Sequence, residues 1–201
     1  INLFRMLKKK TNGSGAGFEL DWDRLASTVE KAVHFLDNVI DMNSYPIPEI
    51  KLVTRSNRKI GLGVMGFADM LIRLGIPYNT DSAINMAERI MGFIQEKGRD
   101  ASVSLAEKRG SFPNFKSSIY DGHLKGIRNA TVTTIAPTGT ISIISGCSSG
   151  IEPLYAVAFT RNVMEGTELV DVNPLFASMS VERGFDSPEI LKQTASEGTL
   201  H

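Results

Sequence analysis

The sequence has few features that would indicate an oxidising compartment, a membrane or a nucleic-acid partner. One cysteine in 201 residues, Cys147, excludes an internal disulfide framework and a site built from several cysteines. Lys and Arg total 22 and Asp and Glu total 22, so no overall field favours nucleic acid or a membrane surface. No apolar run approaches the roughly 18 to 20 residues that cross a bilayer. We therefore expect a cytoplasmic protein whose partners include neither nucleic acid nor a membrane.

The sequence also lacks a starting methionine and a secretory signal. It opens on apolar residues, and its first charges follow the apolar part, which is the reverse of a signal peptide. It stops without an evident final element. Hydrophobic residues make up 42% and charged residues 22%, as in globular proteins. We expect a segment cut from a longer protein.

Apolar spacing predicts most of the helices. Spacings of three and four predict three helices, over 22–40, 60–74 and 84–105. Asp21 is the predicted N-cap of the first helix, and Gly75 and Gly110 are the predicted ends of the second and third. We expect Thr80 or Asp81 to cap the third helix and Gly98 to kink it. Two short helices are predicted over 173–184 and 187–196, each opened by a capping residue and a proline.

Strands and loops are predicted between these helices. The stretch 8–17 is predicted to be a flexible loop, and Pro46 and Pro48 to force an extended path. The β-branched stretch 129–137 predicts a buried strand, and 154–163 predicts another. Helices, then strands, then helices suit a fragment of an α/β protein.

A glycine pattern at residues 59–70 raises the possibility of a dinucleotide site. The stretch is "KIGLGVMGFADM", in which Gly61, Gly63 and Gly66 have the spacing G-x-G-x-x-G. A dinucleotide turn needs a buried strand before its first glycine, whereas "TRSNRK" precedes this one. We therefore predict that Gly63, Gly66 and Ala68 let another element approach a helix backbone closely.

A later stretch, "VTTIAPTGTISIISG", has better chemistry for binding an anion. Gly139 permits close approach of a ligand, and the loop offers backbone N–H groups and the hydroxyls of Thr138, Thr140 and Ser142. If a short helix begins there, its first amides point the same way, and such a site needs no lysine. The alternative is an ordinary turn between a strand and a helix.

Two long blocks resemble one known family. "ATVTTIAPTGTISIISGCSSGIEPLYAVAFTRNV" and "RKIGLGVMGFADMLIRLGIPY" resemble the catalytic barrel of ribonucleotide reductases, most of all the adenosylcobalamin-dependent (class II) enzymes. The resemblance covers nearly the whole chain. It implies an α/β fold in which residues 1–201 are the C-terminal part of a single ten-stranded catalytic barrel, with several helices flanking a few barrel strands.

The resemblance also implies roles for particular residues. The family's phosphate loop corresponds to Pro137, Thr138, Gly139, Thr140, Ile141 and Ser142. The glycine block is a scaffold in the family. Glu152 lies in a family marker, "SGIEP", where we favour a structural role over that of a general base.

Independently of the resemblance, His34 is interpreted as a residue on a helix face, because it lies beside the apolar stripe of the predicted helix over 22–40.

The chain departs from the family in one large respect. The family's Asn-x-Cys-x-Glu motif, which carries the radical cysteine, is absent and is expected upstream of Ile1. Cys147 is predicted to be a small buried residue without a redox role. We expect no catalytic residue and no metal site in this segment, and no activity of the segment alone.

For the parent protein, the resemblance implies reduction of ribonucleoside di- or triphosphates by radical chemistry with adenosylcobalamin. It implies a ribonucleotide substrate, deoxynucleotide or ATP effectors, a thioredoxin-like reductant and a homodimer. Three alternatives stay open. They are a class I large subunit, a non-catalytic phosphate- or nucleotide-binding module, and a purely structural fragment.

Overall fold

The computed structural model describes residues 1–10, 17–163 and 167–197, and the chain divides into two units, Ile1–Glu152 and Pro153–His201. The first unit contains β1 (Leu7–Lys9), β2 (Phe18–Leu20), α1 (Trp22–Met42), α2 (Pro48–Asn57), α3 (Phe67–Leu74), α4 (Asp81–Arg109) and α5 (Gly139–Ser145). The second contains β3 (Ala158–Val163), β4 (Thr167–Val172), α6 (Pro174–Arg183) and α7 (Pro188–Glu197). Short 3₁₀ helices cover Leu3–Met6 and Pro113–Ser117.

The core of the first unit lies where α1 packs on α4, and both helices begin as predicted. The Asp21 carboxylate accepts a hydrogen bond from the Arg24 amide at 3.1 Å, and the Thr80 hydroxyl caps α4. Apolar side chains of both helices are buried, among them Leu25, Val29, Val33, Ile90 and Ile94. α4 continues through Gly98, where a Cβ would lie 2.8 Å from a Val132 methyl group. Gly98 therefore serves close packing, and the kink at this residue stays a prediction.

The predicted extended path at the two prolines is wrong for Pro48. Pro48 is the first residue of α2, where its missing N–H is no loss and its fixed φ suits the first turn. α2 has no buried residue, so the apolar stripe that reveals a helix in a sequence is weak there. The helix ends at Arg58, whose φ of 46° is left-handed.

The helix predicted over 60–74 begins late, at Phe67. Residues 60–65 are instead extended beside the segment that precedes α5, with a parallel bridge between Leu62 and Thr133. The Ile60 amide donates to the Thr131 carbonyl at 3.1 Å and the Leu62 amide to the Val132 carbonyl at 2.7 Å. The predicted strand over 129–137 is thus extended and paired, but it is not buried, because Thr131 and Ile135 are exposed.

A charged cluster surrounds a buried aspartate where these two extended segments begin. The Asp37 cluster consists of Asp37, Arg58, Arg109, Arg128 and Asn129. Asp37 is fully buried and accepts hydrogen bonds from Arg58 Nε at 2.9 Å and Nη2 at 2.8 Å. Burial alone raises the pKa of Asp37, but the bonds and charges of its partners outweigh that effect and hold the pKa below its usual range. Asn129 Nδ2 also donates to the Arg58 carbonyl at 3.0 Å, which joins the two segments.

A small hairpin replaces part of the loop predicted over 8–17. β1 pairs with β2 in antiparallel register, with Lys8 opposite Glu19, so Lys8 and Lys9 belong to a strand. Residues 11–16 of that predicted loop lie outside the described residues.

The second unit is a hairpin with two helices. β3 and β4 are antiparallel, with Ala158 opposite Val172, and α7 packs on the hairpin. The strand predicted over 154–163 begins at Ala158, and β4 was not predicted. Both short helices were predicted, and the Asn173 side chain accepts from the amides of Leu175 and Phe176 at the start of α6.

The described strands form two sheets of two strands each, so the ten-stranded barrel stays a prediction. Within the described ranges, no helix combines the length and the apolar character needed to cross a membrane.

Candidate phosphate-binding site

The predicted phosphate loop is a tight turn held in a strained conformation. Thr138 has φ 56° and ψ 24°, a left-handed conformation that is unfavourable for a β-branched residue. Its hydroxyl oxygen accepts a hydrogen bond from the Gly150 amide at 2.6 Å. This bond offsets part of the strain and closes the base of the loop.

The first turn of α5 presents uncapped backbone amides. The first intrahelical bond runs from the Ser142 amide to the Thr138 carbonyl at 2.9 Å, and no side chain caps the helix. The preceding residues Gly139, Thr140 and Ile141 are exposed. A Cβ on Gly139 would meet nothing within 4 Å, so there is room beside the backbone for a ligand.

The hydroxyls that the sequence brings to this loop fall into two groups. Thr140 is exposed, whereas Ser142 is 1% exposed and its hydroxyl donates to the Gly139 carbonyl at 3.1 Å. Ser142 Oγ also lies 2.9 Å from Ser149 Oγ. The hydroxyls of Thr138 and Ser142 therefore hold the loop together, and that of Thr140 faces solvent.

The chain returns from α5 along the base of the loop. Gly150 has φ 47°, and a Cβ there would lie 2.9 Å from the Ala136 carbonyl oxygen. At Gly150 the return segment thus lies too close to the residues before the loop for a side chain to fit.

Sequence reasoning missed a connection between this return segment and the start of α3. Ser148 donates its amide to Asp69 Oδ2 at 2.6 Å, and its hydroxyl accepts from the Asp69 amide at 3.3 Å. The Ser148 carbonyl accepts from the Gly66 amide at 2.7 Å. Gly66 is the N-cap of α3 and has no side chain, so Ser148 caps the helix in its place. We call Gly66, Asp69 and Ser148 the Asp69 cluster.

The glycine block leaves no space for a dinucleotide. A Cβ on Gly61 or Gly63 would lie 2.9 Å or 3.1 Å from Thr134, and one on Gly66 would lie 2.7 Å from Asn2 Oδ1. The predicted close packing is confirmed at Gly63 and Gly66, but the prediction that a helix backbone is approached there is wrong, because both glycines precede Phe67, the first residue of α3.

Comparison with known proteins identifies the family of the chain. The model of the ribonucleotide reductase barrel domain matches residues 1–125 and 121–200. The chain belongs to the ribonucleotide reductase barrel-domain family. A vitamin B12-dependent ribonucleoside-diphosphate reductase of Thermoplasma acidophilum is 54% identical over 184 residues, covering 92% of this chain and 24% of that protein. The enzyme of the same name from Mycobacterium tuberculosis H37Rv is 47% identical over 198 residues, covering 98% of this chain and 27% of its own.

A more distant relative carries a different name. The ribonucleoside-diphosphate reductase subunit alpha of Chlamydia pneumoniae is 33% identical over 185 residues, covering 74% of this chain and 18% of its own. The chain spans about a quarter of the length of the vitamin B12-dependent reductases it matches.

The remaining candidate residues of this reductase barrel segment add no described side-chain hydrogen bond to the loop, although the Cys147 amide donates to the Ser142 carbonyl at 3.1 Å. Cys147 is half-buried rather than buried, and its burial, followed by the charge of Asp69, raises the pKa of its thiol. The thiol is therefore protonated at neutral pH and a poor nucleophile. Glu152 is exposed, and its amide donates to Ser149. His34 is exposed on α1, with Nε2 2.9 Å from Arg109 Nη2.

Proposed function

We propose that this chain is part of a ribonucleotide reductase and holds the phosphates of the substrate on residues 137–142. The observation that carries the proposal is the uncapped first turn of α5, which lies on the loop that the reductase resemblance assigns to phosphate. Exposed, pre-oriented amides bind anions without a lysine, because each N–H is a donor whose orientation is fixed before the ligand arrives.

The residues of the loop would contribute in different ways. The amides of Gly139, Thr140 and Ile141 and the Thr140 hydroxyl would donate to phosphate oxygens. Thr138 and Ser142 would instead hold those donors in place, since their hydroxyls bond within the loop. Pro137 has no N–H and restricts the backbone that enters the loop. Fixing the phosphates orients the ribose, which lowers the entropic part of the barrier.

The full-length parent would reduce a ribonucleoside di- or triphosphate to its deoxyribonucleotide. The names of the relatives from Thermoplasma and Mycobacterium support this activity and its dependence on cobalamin. The deoxynucleotide or ATP effectors, the thioredoxin-like reductant, the homodimer and the cytoplasmic location are further parts of the proposal. The radical and redox cysteines would come from the rest of the parent, so the segment alone would be inactive.

The groove that described residues form along α4 does not fit adenosylcobalamin. A bound adenosylcobalamin supplies the radical that starts the reaction. The groove of about 780 Å³ along α4 is lined by charged side chains, including Glu96, Arg99 and Asp100, which suit water better than a large macrocycle. In the described ranges, no group of three or more His, Cys, Asp or Glu residues could hold a metal ion. We assign no residue of this chain to the cofactor.

The test is a reductase assay on the full-length parent with and without adenosylcobalamin, beside the same assay on the 201-residue chain. Activity of the parent only with the cofactor, and none of the shorter chain, is the expected result. An inactive parent that is folded and loaded with cofactor would contradict the proposal and favour a non-catalytic nucleotide-binding module.

The second candidate is the large subunit of a class I reductase. The 33% identity to the Chlamydia subunit alpha favours it as the alternative. Activity of the parent that needs a second, radical-generating subunit and no cobalamin would establish this alternative.

A further inference from the structure

We propose that Asp69 is a positioning residue for the phosphate-binding segment and acts through Ser148. The inference rests on the proposed function, because it assigns a role in holding substrate phosphates. Asp69 lies 79 residues before Ser148 in the chain and on a different element, the first turn of α3.

The contact between the two residues is tight and reciprocal. Asp69 is 5% exposed, and its Oδ2 accepts from the Ser148 amide at 2.6 Å, a short bond of the charge-assisted kind. The return bond from the Asp69 amide to Ser148 Oγ is 3.3 Å long. Since the Gly66 amide also donates to the Ser148 carbonyl, Ser148 is held at its amide, carbonyl and hydroxyl. Its position is therefore fixed relative to α3.

The two residues after Ser148 connect it to the loop through their own polar contacts. Ser149 Oγ lies 2.9 Å from Ser142 Oγ, and the Gly150 amide donates to Thr138 Oγ1 at 2.6 Å. Thr138 and Ser142 frame the first turn of α5, where the proposed phosphate donors lie. A shift of Ser148 would thus move both ends of that turn.

The side-chain cap of α3 cannot come from its own N-cap residue. Gly66 has φ 71°, and a Cβ there would lie 2.7 Å from Asn2 Oδ1. Here the cap comes from a distant loop, and α3 begins with a glycine that leaves the place free for it. The arrangement makes the loop depend on the helix.

The experiment compares Asp69→Ala and Asp69→Asn in the full-length, cofactor-loaded reductase. Measured quantities are kcat, KM for a ribonucleoside diphosphate, and the inhibition constant of the same nucleoside without phosphates. Asp69→Ala removes the acceptor, so we expect KM to rise about tenfold, the size of one charge-assisted hydrogen bond. We expect kcat and the inhibition constant of the nucleoside to stay within about twofold. Asn keeps one carbonyl oxygen for the Ser148 amide and should restore most of the affinity.

The matched control is Asp81→Ala, which removes an exposed aspartate from the first turn of α4 and leaves the loop untouched. Its KM should equal that of the unchanged enzyme. If Asp69→Ala proves insoluble, Ser148→Ala decides the matter, because it keeps the backbone amide and loses only the hydroxyl. A KM increase of about two- to threefold is then expected for a weaker, neutral bond.

Three results would overturn the inference. They are an unchanged KM in the soluble variant that decides the test, an equal loss of affinity for nucleotide and nucleoside, and a fall in kcat at constant KM. The proposed function fails in a different way. In that case the unchanged enzyme itself would bind the nucleotide no better than the nucleoside, and a substitution at Asp69 would have nothing to alter.

Discussion

Two fully or nearly buried aspartates in the first unit are stabilised by opposite means. Asp37 is surrounded by the guanidinium groups of Arg58, Arg109 and Arg128 and by the Asn129 amide. Asp69 is held by the amide and hydroxyl of Ser148, no described ion pair involves it, and no described residue gives its Oδ1 a hydrogen bond. The negative charge of Asp37 is compensated by guanidinium groups, whereas Asp69 is held by an uncharged amide and an uncharged hydroxyl.

The difference matches what each site holds. The Asp37 cluster joins the starts of two extended segments, through bonds from Asn129 to the Arg58 carbonyl and from Ala130 to the Asn57 carbonyl. The Asp69 cluster joins a helix start to the turn behind the phosphate loop. Asp69 holds this turn through a hydrogen bond from a backbone amide, and not through an ion pair among the described residues.

Removing Asp37 should have the largest effect. Asp37→Ala leaves three guanidinium groups, one of them almost fully buried, without their shared partner, which costs about 3–5 kcal/mol. Asp41→Ala is the matched control, because Asp41 also pairs with Arg58 but is 46% exposed, so its loss costs about 1 kcal/mol or less. Hydrogen exchange of the Ile60 and Ala130 amides in the full-length protein measures the loss of stability in both variants. Equal protection in the two variants would contradict the assigned importance of Asp37.

The connection between the Asp69 cluster and the loop should be broken most effectively at the backbone of the return segment. Gly150→Ala combines a left-handed φ with a Cβ placed 2.9 Å from the Ala136 carbonyl. Gly146→Ala is the control, since Gly146 has φ 60° and nothing within 4 Å of its added Cβ. The control should lose only the roughly 1–2 kcal/mol of a left-handed residue, while Gly150→Ala should lose more and also raise the KM for nucleotide. Similar losses of stability and affinity in both would refute the close contact.

The sequence predicts the parts of this fold that depend on local spacing. α1 and α4 follow from their apolar stripes, and their caps at Asp21 and Thr80 follow from residue type. Residues 60–65 were assigned to a helix because apolar residues are frequent there. Ile60, Leu62 and Val64 are all buried and alternate with small or flexible residues, which is the period of a strand. The prediction of an extended path is wrong at Pro48 because proline interrupts the interior of a helix but is favoured in its first turn.

The phosphate loop was predicted from glycine and hydroxyl residues that lie next to one another in the chain. The Asp69 cluster could not be predicted in this way, because its members lie 79 residues apart and an aspartate in a first helical turn is common. The Asp37 cluster draws on four separate segments. Only the fold reveals which of many polar residues meet.

Acid should weaken the Asp37 cluster by a smaller amount than the substitution of Asp37. The pKa of Asp37 in the folded state lies below its usual value, because the hydrogen bonds and charges of Arg58 and its neighbours outweigh burial. Its stabilising contribution is therefore present above the ordinary carboxyl pKa and is lost as the pH falls through the folded value. Hydrogen exchange of the Ala130 amide, corrected for intrinsic rates and followed downward from neutral pH, should show this loss. In Asp37→Asn that share of the acid dependence should disappear, and an unchanged dependence would contradict the assignment.

The smallest expected effect lies in the loop hydroxyls, which would hold the phosphate donors without touching the phosphate. Thr138→Ala and Ser142→Ala in the full-length enzyme should each raise KM by about three- to tenfold, the value of one neutral hydrogen bond, and lower kcat less. Thr138→Ser keeps the acceptor for the Gly150 amide and should restore the affinity, whereas Thr138→Val keeps the shape and should not. Steady-state kinetics of the four variants decide between a hydroxyl that positions and one that reacts. A large loss of kcat at constant KM would show that Thr138 or Ser142 acts in the transition state.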